Sequence, residues 1–260
     1  MKINKLHIAL VLMSVIFLCN CGESAKPVKT LGAIKTESVS DSLGYEMENS
    51  GKVYAQISIE SPVVEDELSR KNFATWLSTV VEREKSTDKD AVHSLAKAFV
   101  TTAAANLKND YVNLDEESRR KHKELYVRVK IYKIYDDDQY VTYMFEEEEE
   151  SGGLHPYRKS IGYTFNRSDF SLADLIESVD TYYYRSEITK CLGEELVDDA
   201  SKLMNVLQID DKSKSEGKVP LPANGAYFVD DSLIFKYQEY EIASYNYGMP
   251  VVKLPYKKSE

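Results

Sequence analysis

Cysteine is scarce in this chain, with three residues in 260, at positions 19, 21 and 191. No disulfide framework can be built from them, so stability has to come from a packed core. Positive charge is short as well: 33 Lys plus Arg stand against 43 Asp plus Glu, a formal charge of −10. That deficit removes the basic footprint of nucleic-acid binding, and no nucleic-acid partner is expected. The longest apolar run, from Leu6 to Leu18, is broken only by His7 and Ser14 and is too short to cross a bilayer. Tryptophan occurs once and phenylalanine eight times, whereas tyrosine occurs 19 times. Tyrosine suits half-wet surfaces, because its ring is apolar and its hydroxyl is not. With 43% hydrophobic and 29% charged residues, the chain otherwise has the balance of a globular protein of one or two domains.

Lys2 and Lys5 precede the apolar run as the charged region of a signal segment, residues 1–20. Leu18 stands three residues before Cys21, within Phe17-Leu18-Cys19-Asn20-Cys21-Gly22. This resembles the lipobox at which bacterial prolipoproteins are cut and lipidated, which makes Cys21 the lipidation candidate; a plain secretory cut nearby is the alternative. Cleavage removes two lysines and no acid, so residues 21–260 carry a charge of −12. Gly22, where an Asp would favour inner-membrane retention, points to the outer membrane or cell surface. Residues 21–51, rich in Ser, Thr, Glu and Lys, read as a flexible tether.

Periodicity then organises the chain. Alternation of Val53, Ala55, Ile57 and Ile59 predicts a strand over 52–60. Three- and four-residue spacing predicts a helix over 67–85, with Trp76 as its core anchor, and a second over 91–107 after a capping cluster at 86–88. Strands follow at 125–135, 139–145 and 157–165, the first two joined by a polar turn at 136–138. Ser171 with Asp174 predicts a helix opening at 171–176, and 182–207 reads as helical with a break near Gly193. Cys191 in that stretch reads as a buried small hydrophobe. Residues 210–222 read as a loop, before strands at 226–229, 233–237 and 251–256. Helices thus segregate from an antiparallel sheet, and the fold class is α+β with helices on one face of the sheet.

Candidate chemistry is sparse. The run Glu146–Glu150 lacks the ligand spacing of a calcium loop and reads as a solvated acidic strand end. His155 sits between glycines and a proline, as a turn-fixing histidine or, with Glu149 or Glu150, as a general base. No histidine pair has zinc spacing, and no serine sits in a nucleophile elbow. No catalytic residue set, metal or cofactor is therefore expected. Tyr240 and Tyr245 are either loop pins or a platform for a sugar or a protein.

Two tracts carry a family resemblance. One is Gly152-Gly153-Leu154-His155-Pro156, continuing through Tyr163-Thr164-Phe165 to Phe170-Ser171-Leu172-Ala173-Asp174-Leu175. The other runs from Tyr227 to Phe235, then Tyr240-Glu241-Ile242-Ala243-Ser244-Tyr245, Gly248 and Leu254-Pro255-Tyr256. Together they resemble the C-terminal domain of unknown function shared by RsiV-type anti-sigma factors and the wall deacetylase PdaC. The upstream strand and helices, with Ile59-Glu60-Ser61-Pro62, are similar to the PdaC-type N-terminal half. The resemblance divides the chain into an N-terminal half at 52–145 and a C-terminal half at 146–258. It implies an extracytoplasmic α+β domain and, from the RsiV version, a lysozyme-binding receptor. No spanning helix, sigma-binding segment or deacetylase metal motif accompanies it here, so it implies a fold and a binding habit without a reaction. The expectation is a lipid-anchored, non-enzymatic envelope module whose partner is a cationic lysozyme-type protein. A wall-glycan ligand or a glycan-acting hydrolase or deacetylase is the alternative, and His155, Tyr240, Glu241 and Tyr245 are the candidate binding residues.

The anchor is directly testable. Metabolic labelling with a fatty-acid analogue should tag the wild-type protein, and Cys21→Ala should lose the label; label retained by the variant would refute lipidation at this residue.

Overall fold

A computed structural model describes residues 32–81, 90–177, 179–197 and 200–257. The signal segment, Cys21, the first part of the tether and the capping cluster at 86–88 lie outside the described residues. The chain enters through β1 (Thr36–Glu46), which turns back onto β2 (Lys52–Pro62). Two helices, α1 (Glu67–Val80) and α2 (Ala91–Asn113), and a short α3 (Glu116–Lys121) lead to β3 (Glu124–Asp136), β4 (Tyr140–Glu150) and β5 (Tyr157–Asn166). These strands form one sheet in sequence order, antiparallel except between β2 and β3. That parallel pair needs a crossover, and the helices supply it. Beyond come α4 (Thr181–Leu196), α5 (Leu203–Val206), α6 (Asp211–Glu216) and a three-stranded antiparallel sheet of β6 (Tyr227–Val229), β7 (Ser232–Lys236) and β8 (Val251–Pro255). The protein is α+β, as the pattern predicts.

One face of the large sheet is built from the predicted alternation. Val53, Ala55, Ile57 and Ile59, together with Leu125, Val127, Val129 and Ile131, pack against Leu77, Leu95, Phe99 and Val100 of the first two helices. Trp76 is 5% exposed, within 5.0 Å of the Phe165 ring and 5.3 Å of Phe73. A second core holds Tyr184, Ile188 and Leu192 of α4 with Phe228, Leu233, Phe235 and Leu254 of the small sheet. The two cores change over between Phe170 and Leu175. Strand β4 runs through position 145/146 and is paired on both sides from Val141 to Glu149.

Several elements depart from the sequence reading. The tether ends before residue 36, because 36–46 form β1; only Val39 on that strand is buried, and pairing with β2 along eleven residues replaces the missing apolar content. Residues 171–176 are not helical. The Ala173 N–H goes to the Thr164 carbonyl along the edge of β5, and the Asp174 carboxylate takes the N–H groups of Ile176 and Glu177. The break in the helical stretch falls at Val197, since Gly193 lies buried within α4. The loop over 210–222 contains α6, capped by the Asp210 carboxylate at the Ser213 N–H and closed by Gly217 in the left-handed region.

Trp76→Ala should cost about 3–5 kcal/mol in chemical unfolding. Trp76→Phe should cost far less, because the indole N–H has no hydrogen-bond partner to lose. An emission maximum at the wavelength of solvated indole would contradict the burial.

Candidate functional site

The small sheet is seated on the open face of the large one by a seam of short side chains. Thr142 and Thr164 lie opposite each other on β4 and β5, both buried. The Phe228 N–H donates to the Thr164 hydroxyl at 2.8 Å, and the Thr142 hydroxyl donates to the Phe228 carbonyl at 2.6 Å. With its proton so committed, Thr142 can only accept from Thr164, 2.9 Å away. The ring is closed and every donor is used. Next along β5, Gly162 is required, because a Cβ there would enter the ring of Tyr227. Burial pushes the Tyr227 phenol up to about 12.

Ser160 extends the seam. Its backbone N–H and carbonyl are taken by the Gln238 side chain at 2.8 and 2.9 Å, so that Gln238 acts as a strand partner for one residue. Its hydroxyl accepts from Lys236 Nζ at 2.5 Å, and burial lowers the Lys236 pKa while Glu146 opposes the shift. A serine beside a lysine is an arrangement that can serve nucleophilic chemistry, and the separation of 76 residues hides it from sequence reading. Ser160 is only 6% exposed, however, so the pair holds the seam and offers no surface to a substrate.

The Gln238 clamp delivers the next loop to the tip of the β4–β5 hairpin. Glu241 does not point outward: its carboxylate accepts the N–H groups of Gln238 at 2.7 Å and Ala223 at 2.5 Å, which fixes the loop. Tyr240 is held at φ 64°, a left-handed conformation costing about 1–2 kcal/mol for a residue with a Cβ. Its hydroxyl meets His155 Nε2 at 2.7 Å. Because His155 Nδ1 faces the Pro156 carbonyl at 3.1 Å, Nδ1 carries a proton, and with that tautomer Nε2 accepts from Tyr240. Tyr245 stacks on His155 with centroids 3.8 Å apart. Three of the four predicted site residues, His155, Tyr240 and Tyr245, thus form one stack, and the fourth, Glu241, positions it.

The hairpin tip is also where apolar surface and carboxylates meet. Leu154 is 95% exposed, Tyr240 52% and Tyr157 47%. Burial first, then the carboxylates of Glu147, Glu239 and Glu149, push the Tyr157 phenol up. The acidic run is part of β4 and half-buried, not a solvated end. Its even members face the opposite side of the sheet, where Glu148 pairs with Arg128 at 3.2 Å and Arg158 at 3.5 Å. Glu150 accepts the Gly152 N–H and lies 3.4 Å from His122. The general-base alternative pairs His155 with Glu149 or Glu150, but both imidazole nitrogens are directed elsewhere. Among the described residues no group of three or more His, Cys, Asp or Glu is placed to hold a metal. Cys191 is half-buried, and burial raises its thiol pKa.

The seam yields a quantitative expectation. Gly162→Ala should destabilise the fold by about 1–3 kcal/mol through overpacking, and by less in a Tyr227→Ala background, since the two changes share one contact. Additive losses in the double-mutant cycle would refute the coupling.

Comparison with known proteins fits this architecture. No curated protein matches the chain. Among solved structures, a DUF3298-family member from Bacteroides fragilis superposes with a TM-score of 0.58 at 16% identity, covering 88% of this chain and 92% of that one. A DUF3298-family protein from Pseudomonas aeruginosa PAO1 gives 0.55 at 13% identity, covering 86% and 92%. At such identities the likeness is one of fold. Residues 173–257, which contain the second core, the Gln238 clamp and two rings of the stack, match the family described as protein of unknown function, DUF3298, and form a DUF3298 domain.

Proposed function

We propose that the protein is a non-enzymatic, lipid-anchored binding module of the outer membrane or cell surface, and that its partner is a cationic protein of the lysozyme type. The observation that carries this reading is the hairpin tip, where Leu154, Tyr157 and Tyr240 expose apolar surface and Glu147, Glu149 and Glu239 surround Tyr157. Exposed aromatic and aliphatic side chains next to like-signed charge are a protein-docking chemistry: the apolar groups supply affinity, and the carboxylates choose a basic partner and steer it in. The −10 charge of the whole chain acts in the same direction over a longer range. Resemblance to the lysozyme-binding RsiV domain supports the same partner class. The tip is held rigid by the His155–Tyr245 stack and the Glu241-fixed loop, so little conformational freedom is lost on docking.

Immobilised protein should bind lysozyme saturably, with an on-rate that falls as ionic strength rises from about 0.01 M to about 0.15 M and the Debye length shrinks from about 30 Å to about 8 Å. Leu154→Asp removes apolar contact without touching the core and should weaken binding about tenfold or more. Glu149→Lys should act mainly on the association rate. Absence of lysozyme binding at low salt, with retention on purified peptidoglycan, would transfer the assignment to a glycan ligand. Turnover of peptidoglycan fragments that is lost in His155→Ala would overturn the non-enzymatic reading.

A further inference from the structure

The small sheet covers the open face of the large sheet over β4, β5 and the last part of β3 from Tyr132 to Tyr135, and among the described residues it leaves β1, β2 and the first part of β3 uncovered. On that uncovered part lies a groove of about 370 Å³, lined by Thr36, Ser38, Ser58, Glu60, Lys130 and Tyr132. Tyr132 packs against Met144, Tyr227 and Ile234, so one wall of the groove is the rim of the seam. The register explains the lining. Ser38 stands opposite Glu60, Ser58 opposite Lys130, and Lys130 opposite Glu146, all on the face away from the helices.

We propose that this groove is a binding site for a neutral oligosaccharide, distinct from the protein-docking tip. Apart from Ile131, the lining is three aliphatic hydroxyls, a phenol, a carboxylate and an ammonium, a mixture of donors and acceptors that matches vicinal sugar hydroxyls, each of which both donates and accepts. Glu60 spends one oxygen on the Lys133 N–H at 3.1 Å and keeps its other for a ligand. Lys130 is exposed and supplies three donors. The hydroxyl floor continues along β1, where Ser40 Oγ lies 3.3 Å from Ser58 Oγ. From Ser38 to Ser42 this strip runs on the order of 13 Å at the rise of a strand, which suits an extended chain of rings over a compact metabolite. Two other occupants fit the chemistry less well. Protein interfaces are depleted in serine, lysine and glutamate and need aromatic or arginine anchors, and the one aromatic in this lining, Tyr132, is already packed into the seam. A polyanion would meet Glu60 and the negative charge of the whole molecule.

The test is titration of the full-length protein with chitotriose and, separately, with cellotriose, read by amide chemical-shift perturbation and calorimetry. Saturable binding of either sugar with shifts clustered at Ser38, Ser58 and Lys130 supports the site. Affinity should fall about tenfold in Lys130→Ala, the loss expected for one hydrogen bond from a charged donor. Ser38→Leu, on an exposed edge-strand position, should abolish binding by filling the groove, and unchanged far-ultraviolet circular dichroism would show that the fold survives. Absence of saturable binding by both sugars, affinity unchanged in both variants, or shifts clustered instead at Leu154 and Tyr240 would overturn the assignment. The proposal does not depend on lysozyme recognition, and either can fail alone.

Discussion

The closed ring of hydrogen bonds through Thr142, Thr164 and the backbone of Phe228 is the constraint from which the rest of the second half follows. A sheet packing face-on against another normally presents apolar side chains to it. Here strand β6 brings its backbone down onto the face of β4 and β5, and a buried N–H and carbonyl would each go unpaired at a cost of about 1–3 kcal/mol. Two threonines of opposed register take both groups. Valine in place of either would fit the space and leave a polar atom stranded. Gly162 makes the approach possible by yielding its side-chain volume to Tyr227, and Lys236 and Gln238 secure the same strand at Ser160. The seam therefore sets how the second core is hung from the first.

Once the small sheet is seated, the surface divides. Gln238 is locked to Ser160, so the loop that follows arrives at the β4–β5 hairpin tip, where Tyr240 and Tyr245 meet His155. The alternating geometry of β4 then sorts its five glutamates. Glu146, Glu148 and Glu150 face the open side and are met by Tyr132, Arg128, Arg158 and His122. Glu147 and Glu149 face the other side, around Tyr157. A run that looks uniform in sequence is two populations in space, one engaged in cross-strand pairs and one surrounding an exposed phenol.

Strands with full apolar alternation were legible in the sequence, as β2 and β3 show, because one residue in two had to be buried whatever the partner. What escaped had its stabilising contacts elsewhere in the chain. β1 carries one buried side chain and is a strand because β2 offers it eleven partners. α3 buries nothing and α6 only Ser213, so neither has an apolar period, although Asp115 and Asp210 each cap a serine N–H three residues on in the manner of a helix start. The misread helix at 171–176 shows the converse. Its capping signature is real, but the edge of β5 competes for the same backbone and Asp174 closes a local turn instead. Of the site, His155, Tyr240 and Tyr245 were legible through family resemblance, whereas the Ser160–Lys236 contact and the groove on β1–β3 depend on pairings no local pattern encodes.

The abundance of tyrosine takes a different meaning in this light. Tyr184 donates to the Pro255 carbonyl and accepts from the Lys257 N–H, Tyr237 donates to the Pro220 carbonyl, and Tyr111 to that of Glu48. Each ring fills core while its hydroxyl reaches a carbonyl at a strand end, in a loop or in a short helical turn, a task phenylalanine cannot perform. Burial raises the Tyr237 phenol far above the ordinary range and keeps it a donor to the Pro220 carbonyl; burial raises the Tyr143 phenol too, but its hydroxyl has no partner among the described residues. A chain short of cysteine thus staples its loops with phenols in place of disulfides. Rings committed to that work are unavailable to a ligand, which narrows the aromatic recognition surface from a tyrosine-rich chain to the few exposed at the hairpin tip, Tyr157 and Tyr240, and Tyr182 of α4, whose ring carries the Lys218 ammonium. Only the first two stand beside unpaired apolar surface and carboxylates together, and it is that coincidence, rather than tyrosine content, that singles out the tip.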